Sequence, residues 1–397
     1  MKHLLALLLI LALSFQLSGC LSHPYNTLPS DDTTKESENP SPSPDVNEVI
    51  SQRPMYSVTF SNIEETHKAE DGTTLLITKH QNISLVLPEQ EVADAIILDF
   101  LHRMDQAMQP SSSMLSSAKS AYSIMENWSP DLLLNYYSAE RIDTGVLSLH
   151  GVQRTYQAGA AHSYESGRSV TYDLLTGKIL HLPDVLESAV TGNTLLQLVV
   201  DSIDNDTDGN MPSLFPTYKD SLKQLFSKDL ASLDNWYLSK NGLVFYYNPY
   251  EIGPYSSGII KLEIPYNKLT GIIKDAYFPD EIDTTSGFIH GVYFDNADLN
   301  DYTQFSEVIL KEGSDKILLY TDGAISDVSI CAGPKETLFV NTAKQEDHIF
   351  SCYTLTPGDA IMIEADLAET TLLIGYRSGE EYRISTIVAD NETITIK

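Results

Sequence analysis

The sequence predicts an α+β protein, an α+β module in two parts followed by an all-β, sandwich-like C-terminal domain. Three observations predict it. Strand-like and helix-like patterns mix without the regular βαβ alternation of a parallel sheet. An apolar spacing of four residues runs between Pro88 and Pro110. From Thr284 onward, short apolar runs recur at regular intervals between turn residues, the pattern of a sandwich.

Taken in order, residues 55–61 and 73–87 carry β-branched and aromatic residues in strand-like runs. Val92, Ile96, Phe100, Met104 and Met108 then share one helical face, and Leu115, Ala118, Tyr122 and Met125 mark a second helix over residues 114–127. Strands return from Leu132 to Leu180, with a turn at Thr176-Gly177-Lys178. Residues 194–203 and 218–230 read as helices, and residues 236–247 and 258–264 as strands.

The N-terminus has a different character. Lys2 and His3 precede an almost unbroken apolar run from Leu4 to Leu17, too short for a comfortable membrane span and typical of a signal peptide. It ends in Leu17-Ser18-Gly19-Cys20, a lipobox in which the cysteine takes the lipid. Residues 1–19 are therefore expected to be a lipoprotein signal peptide, and Cys20 the membrane anchor on the extracytoplasmic face. Residues 20–54 are rich in Ser, Thr, Pro, Asp and Glu, and have too little apolar surface to offset the entropy of ordering. They read as a tether.

The chain has 55 acidic and 25 basic residues, a formal net charge of −30. Such a surface disfavours nucleic acid and suits a cationic partner, although acidity also confers solubility. Besides Cys20 there are two cysteines, Cys331 and Cys352. An even pair in an oxidising compartment leads to the expectation of one disulfide.

Within residues 56–278 the chain resembles the paired extracytoplasmic domains of RsiV-like anti-sigma factors and PdaC-type peptidoglycan deacetylases, DUF4163 followed by DUF3298. The first motif is Tyr156-Gln-Ala-Gly-Ala-Ala-His162, and the second is Tyr172-Asp-Leu-Leu-Thr-Gly-Lys-Ile179. Asp234-Asn-Trp-Tyr-Leu238 follows, then Gly242-Leu-Val-Phe-Tyr-Tyr-Asn-Pro-Tyr-Glu-Ile-Gly-Pro-Tyr255 and Ile264-Pro-Tyr266. The resemblance implies a PdaC-like domain at 55–168 and an RsiV-like domain at 169–283. It leaves a β-rich domain at 284–397 outside. It also implies recognition of a protein such as lysozyme, which is cationic. The deacetylase's metal-binding aspartate and paired histidines have no counterpart here.

Four constellations bear on chemistry. Asp204, Asp206 and Asp208, in Asp204-Asn-Asp-Thr-Asp-Gly209, open like a calcium loop, but Phe215 stands where the bidentate Glu belongs. His162 lies in a turn of small residues without a nucleophile at recognisable spacing. No Gly-x-Ser-x-Gly is present, and Ser221-Leu-Lys223 has the wrong spacing for a serine acyltransferase. Trp236, Tyr246, Tyr247, Tyr250, Tyr255 and Tyr266 are the candidate recognition surface, since tyrosine joins apolar area to a polar tip. The expected function is a non-enzymatic binding or sensing module that needs no cofactor, with a cationic protein or a cell-wall component as ligand. The alternative is a cell-wall enzyme or its accessory subunit.

Overall fold

A computed structural model describes residues 55–205, 211–280, 282, 289–294, 302, 304–334, 347–390 and 393–396. Cys20, the tether, Asp206 and Asp208 lie outside the described residues.

Two strands form the first hairpin, β1 (Ser57–Lys68) and β2 (Thr74–Val86), turning at Gly72 with φ 88°. Helices α1 (Gln90–Met108) and α2 (Ser111–Tyr122) follow, and α1 buries Ala93, Ile96, Phe100, Met104 and Ala107 along one face. Strands β3 (Asp131–Ile142), β4 (Val146–Tyr156) and β5 (Tyr164–Asp173) then form an antiparallel meander. α1 packs on Val58, Phe60, Ile83, Leu147, Leu149 and Tyr172, giving the first core.

The next part is small and helix-rich: α3 (Leu182–Val185), α4 (Gly192–Asp204) and α5 (Tyr218–Phe226) precede β6 (Trp236–Leu238), β7 (Gly242–Tyr247) and β8 (Ile260–Pro265). Thr191 caps α4, its hydroxyl accepting from the Thr194 amide, which satisfies one of the open donors at the helix start. Trp236, Phe245, Tyr247 and Leu262 meet Leu195, Val199, Leu222 and Phe226 of the helices in a second core. In β8 the alternation is strict, with Ile260, Leu262 and Ile264 buried and Lys261 and Glu263 exposed.

The C-terminal part holds β9 (Ile289–Phe294), β10 (Gln304–Ile309), β11 (Asp315–Thr321), β12 (Ile325–Pro334), β13 (His348–Leu355), β14 (Asp359–Ala365), β15 (Thr370–Ser378), β16 (Glu381–Asp390) and β17 (Thr393–Ile396). β10, β14, β11 and β9 form a four-stranded sheet. It packs Val308, Ile317, Leu319, Ile361 and Ile363 against Val328, Ile330, Phe350, Leu372 and Ile374. The fold is thus α+β with a β-rich C-terminal part. Its second layer, however, is not confined to that part. β12, β13 and β15–β17 join β1–β5 in one ten-stranded sheet, because Ser57–Thr59 of β1 pair with Phe350–Cys352 of β13. A hydrogen-bonded seam therefore crosses residue 284, and residues 52–397 form one compact unit.

The expected disulfide is absent: Cys331 and Cys352 are separate, buried thiols. Cys331 stands opposite His348 and Cys352 opposite Val328. The two cysteines are thus four positions apart along β13, about 13 Å at the rise of a strand. A disulfide tolerates a Cα separation of only about 4.4–6.8 Å. Burial pushes the Cys331 thiol up to about 12, so it stays protonated.

Arg141, buried at the end of β3, ties the second part to the first. Its Nε donates to Asp143 Oδ2 at 2.5 Å, and its Nη1 donates to the Tyr266 hydroxyl at 2.7 Å and the Tyr277 carbonyl at 2.6 Å. Asp143 Oδ1 accepts from the amides of Gly145 and Val146 in the β3–β4 turn. Breaking a buried pair strands a charge, which costs about 3–5 kcal/mol. Arg141→Ala is expected to lower unfolding stability by about that amount. Urea denaturation is the measurement, and a loss below about 1 kcal/mol, typical of an exposed pair, would contradict the assignment.

Candidate functional site

The β6–β7 hairpin has apolar residues on both faces. One face enters the second core. The other puts Tyr237, Val244 and Tyr246 toward β4, where the His150 ring lies 4.8 Å from Tyr237 and 5.0 Å from Tyr246. A close approach makes this possible, since a Cβ on Gly167 of β5 would come within 2.5 Å of the Tyr246 ring. Ser169 completes the join, its hydroxyl donating to the carbonyls of Asp234 and Trp236.

Three members of the expected recognition surface are therefore core residues. Trp236, Tyr246 and Tyr247 are 4 %, 3 % and 1 % exposed. They flank one tight hairpin whose two faces are both covered, so neither face reaches solvent. Tyr266 is half-buried and spent on Arg141 and on the Ser239 carbonyl. Tyr250 is exposed and Tyr255 is half-buried.

Those two form a ladder with His162. The His162 ring stacks on Tyr255 at 3.8 Å with planes 25° apart, and Tyr250 lies 5.9 Å from Tyr255 on the next rung. The Tyr255 hydroxyl donates to the Ser163 carbonyl, which fixes the middle ring. Tyr250 is 58 % exposed and has φ 74°, a left-handed conformation unusual for a bulky residue.

Beside the ladder runs a cleft of about 420 Å³ between α1, β5, α5 and the loop after β7. Arg103, Arg168, Lys228, Asp234, Asn235, Asn248 and Glu251 are among its lining residues. Asn248 Oδ1 accepts from the Gly167 amide at 2.6 Å, and the Asn248 amide donates to Glu251 at 2.8 Å. The first bond ties the start of the Tyr250 turn to the edge strand β5, and the second closes the turn on itself.

A second cleft, about 680 Å³, opens between β3, the β6–β8 sheet and strands β12, β13, β15 and β16. Glu140, Lys240, Lys261, Glu263 and Arg377 line it, with Cys331 and His348 at its floor. Cys331 Sγ lies 3.9 Å from His348 Nδ1. Burial lowers the His348 pKa to about 3 and raises the thiol, so the pair is neutral at physiological pH and has no thiolate character. Of the calcium candidates, Asp204 is paired with Lys219 at 2.9 Å. Among the described residues no group of three or more His, Cys, Asp or Glu is placed to hold a metal.

Sequence reasoning missed the cleft because Arg103, Arg168, Lys228 and Asn235 come from distant segments with no shared spacing. The ladder was half legible, through the aromatic string and the His162 turn.

Comparison places this region in a class. Residues 192–267 match the family model described as a protein of unknown function, DUF3298, which covers α4 through the end of β8. Solved structures of DUF3298 family proteins are similar to the chain. One from Bacteroides fragilis is 18 % identical with TM-score 0.39, the match covering 56 % of this chain and 96 % of that one. Another, from Pseudomonas aeruginosa, is 18 % identical with TM-score 0.37, covering 56 % and 98 %. None of the curated proteins matches.

Two buried histidines make stability depend on pH. Burial, with Lys261 nearby, lowers the His150 pKa to about 2, and burial with Lys240 nearby lowers that of His348 to about 3. Both stay neutral in the fold, whereas an unfolded histidine takes up a proton below about pH 6.5. Their contribution is therefore full above pH 6.5 and declines as pH falls toward the folded values. At pH 5 each is expected to have lost about 2 kcal/mol of stability. Glu140, 3.9 Å from His150, is too far to retain the proton by a hydrogen bond. Urea midpoints measured from pH 7 to 5 should fall, and His150→Phe should flatten the slope; an unchanged slope would contradict the buried neutral state.

Proposed function

We propose that the chain is a lipid-anchored, extracytoplasmic binding module of the cell envelope, non-enzymatic, with a PdaC-like (DUF4163) domain ahead of its DUF3298 region. The supporting observation is the exposed ladder of His162, Tyr255 and Tyr250 beside an open polar cleft. Rigid aromatic area next to convergent polar groups is the composition of a recognition site. Anchoring is supported by the lipobox at Cys20. Among the described residues no helix is long and apolar enough to cross a membrane. On this reading acyl chains on Cys20, each buried methylene contributing about 0.8 kcal/mol, hold the protein in place.

A second reading, a cationic protein as ligand, is favoured by the formal net charge of −30. Attraction of this kind raises the encounter rate and is screened by salt. Lysozyme is the first protein to test, by its charge and by the family resemblance.

Cys20→Ser is expected to abolish acylation and release a folded protein. Metabolic labelling with a fatty acid reads this directly, and label persisting in the variant would refute the anchor. The lipid-free chain should bind lysozyme at low salt and lose affinity as salt rises, with a neutral protein of similar size as control. Binding no tighter than that of an unrelated acidic protein would reduce the second reading to nonspecific attraction.

A further inference from the structure

We propose that Cys331 and His348 bind a soft monovalent metal ion, Cu(I), at the floor of the larger cleft, an inference independent of the envelope-binding reading. A bulge makes the pair. From Val328 to Ile330 the ladder between β12 and β13 is regular, and continued it would set Cys331 opposite Ile349. The register shifts there, and Cys331 stands opposite His348 instead. Ile349 is the extra residue: it and Phe350, neighbours in the chain, both enter the core of the C-terminal part. Simple alternation would send His348 inward with Phe350 and Cys352. The bulge turns it to the face of Cys331, where both line the cleft. Bulges of this kind re-aim a side chain, and they are over-represented beside functional sites.

The donor geometry suits a metal. Cys331 Sγ and His348 Nδ1 are 3.9 Å apart, long for a thiol–imidazole hydrogen bond. Bonds of about 2.3 Å from a metal to sulfur and about 2.0–2.1 Å to an imidazole nitrogen place the two donors about 3.8 Å apart at a trigonal angle of about 120°. The cleft above them, about 680 Å³, gives the ion a way in and water for a third ligand. The imidazole is held from its other side. Its Nε2 lies 3.0 Å from the Ser351 hydroxyl, an outer partner of the kind that orients a metal-bound histidine, and Phe60 packs edge-on against the ring. Sulfur together with nitrogen selects the ion. Structural zinc takes four ligands and calcium six or more oxygens, and among the described residues no third His, Cys, Asp or Glu completes such a set. A thiolate prefers Cu(I), a closed-shell ion that accepts two or three ligands. Lys240 on the cleft wall opposes a cation, but its ammonium is held on the Asp327 carbonyl at 3.0 Å, and the Asp347 carboxylate adds negative charge near the sulfur. Binding releases the thiol proton to solvent and moves no electron.

The test is anaerobic titration of the lipid-free chain carrying Cys20→Ser with Cu(I), in competition with a chromophoric chelator. One ion should bind per chain. Cys331→Ser and His348→Phe should each weaken binding at least about tenfold, which is 1.4 kcal/mol. Phenylalanine keeps an aromatic ring against Phe60 and removes only the donor nitrogens. Cys352→Ala removes the thiol that points into the core and should leave the affinity unchanged. Zn²⁺ should bind at least about tenfold more weakly than Cu(I). X-ray absorption at the copper edge needs no variant of the pair, and it should find one sulfur and one imidazole nitrogen bonded to the metal. No Cu(I) bound, copper without an imidazole nitrogen, full affinity in His348→Phe, an equal loss in Cys352→Ala, or zinc bound as tightly would each overturn the proposal.

Discussion

The buried guanidinium of Arg141 is the constraint from which the arrangement of the site follows. It comes from β3 of the first part, is oriented by Asp143 in the following turn, and reaches a hydroxyl and a carbonyl that belong to the second part. Every donor so used is directional, which favours one orientation of the second part. An apolar contact of equal area would tolerate sliding. The price of that specificity is desolvation of both charges, which is why such a pair adds little net stability and why losing one member is severe. With Tyr266 held at one end of the β7–β8 hairpin, Tyr246 lies against His150 and Gly167, and the loop carrying Tyr250 and Tyr255 meets the His162 turn.

A second constraint acts on the other side of the molecule. β1 pairs along its length with β2 and, at Ser57–Thr59, with β13. The first described strand is therefore closed against a segment nearly three hundred positions later. Such a contact forms only after a large loop-closure entropy has been met, so it needs extensive burial to support it. The burial is present: Met55, Phe350 and Cys352 lie in the same core as the four-stranded sheet. One consequence is that the first and last parts share their stability, and neither β-sheet face is complete without the other.

What the sequence made legible was local. The α1 stripe of Ile96, Phe100 and Met104 follows from spacing alone, and the alternation in β8 is plain. The short strands after Thr284 were also readable, apart from β10 and β17, whose runs are polar enough to pass as loop. What failed depended on non-local pairing. Count and compartment point to a disulfide, yet register along β13 sets the separation of Cys331 and Cys352, and register is a property of the sheet. Trp236, Tyr246 and Tyr247 are expected at a recognition surface because tyrosine joins apolar area to a polar tip, yet they are buried. In a hairpin covered on both faces, alternation carries no information about which side is wet. The cleft lining was illegible for the same reason, its residues being gathered from α1, β5, α5 and a loop.

Among the described residues two non-glycine residues adopt left-handed backbone, and they differ in how the strain is offset. Asp327 sits at a bulge in β12 with φ 53°, and aspartate tolerates that region better than most. Its carboxylate also lies between Arg377 Nε at 3.2 Å and Lys240 Nζ at 3.9 Å, so the strain is offset by two charge contacts within the fold. Tyr250 has a Cβ and a large ring, hence the full steric cost, and its ring gains only a tilted contact with Tyr255. The turn itself does not require tyrosine, since its amide donates to the Gly253 carbonyl through backbone alone. At Asp327 the folded chain offsets the strain with two charge contacts, whereas at Tyr250 it supplies one tilted ring contact and leaves the ring 58 % exposed.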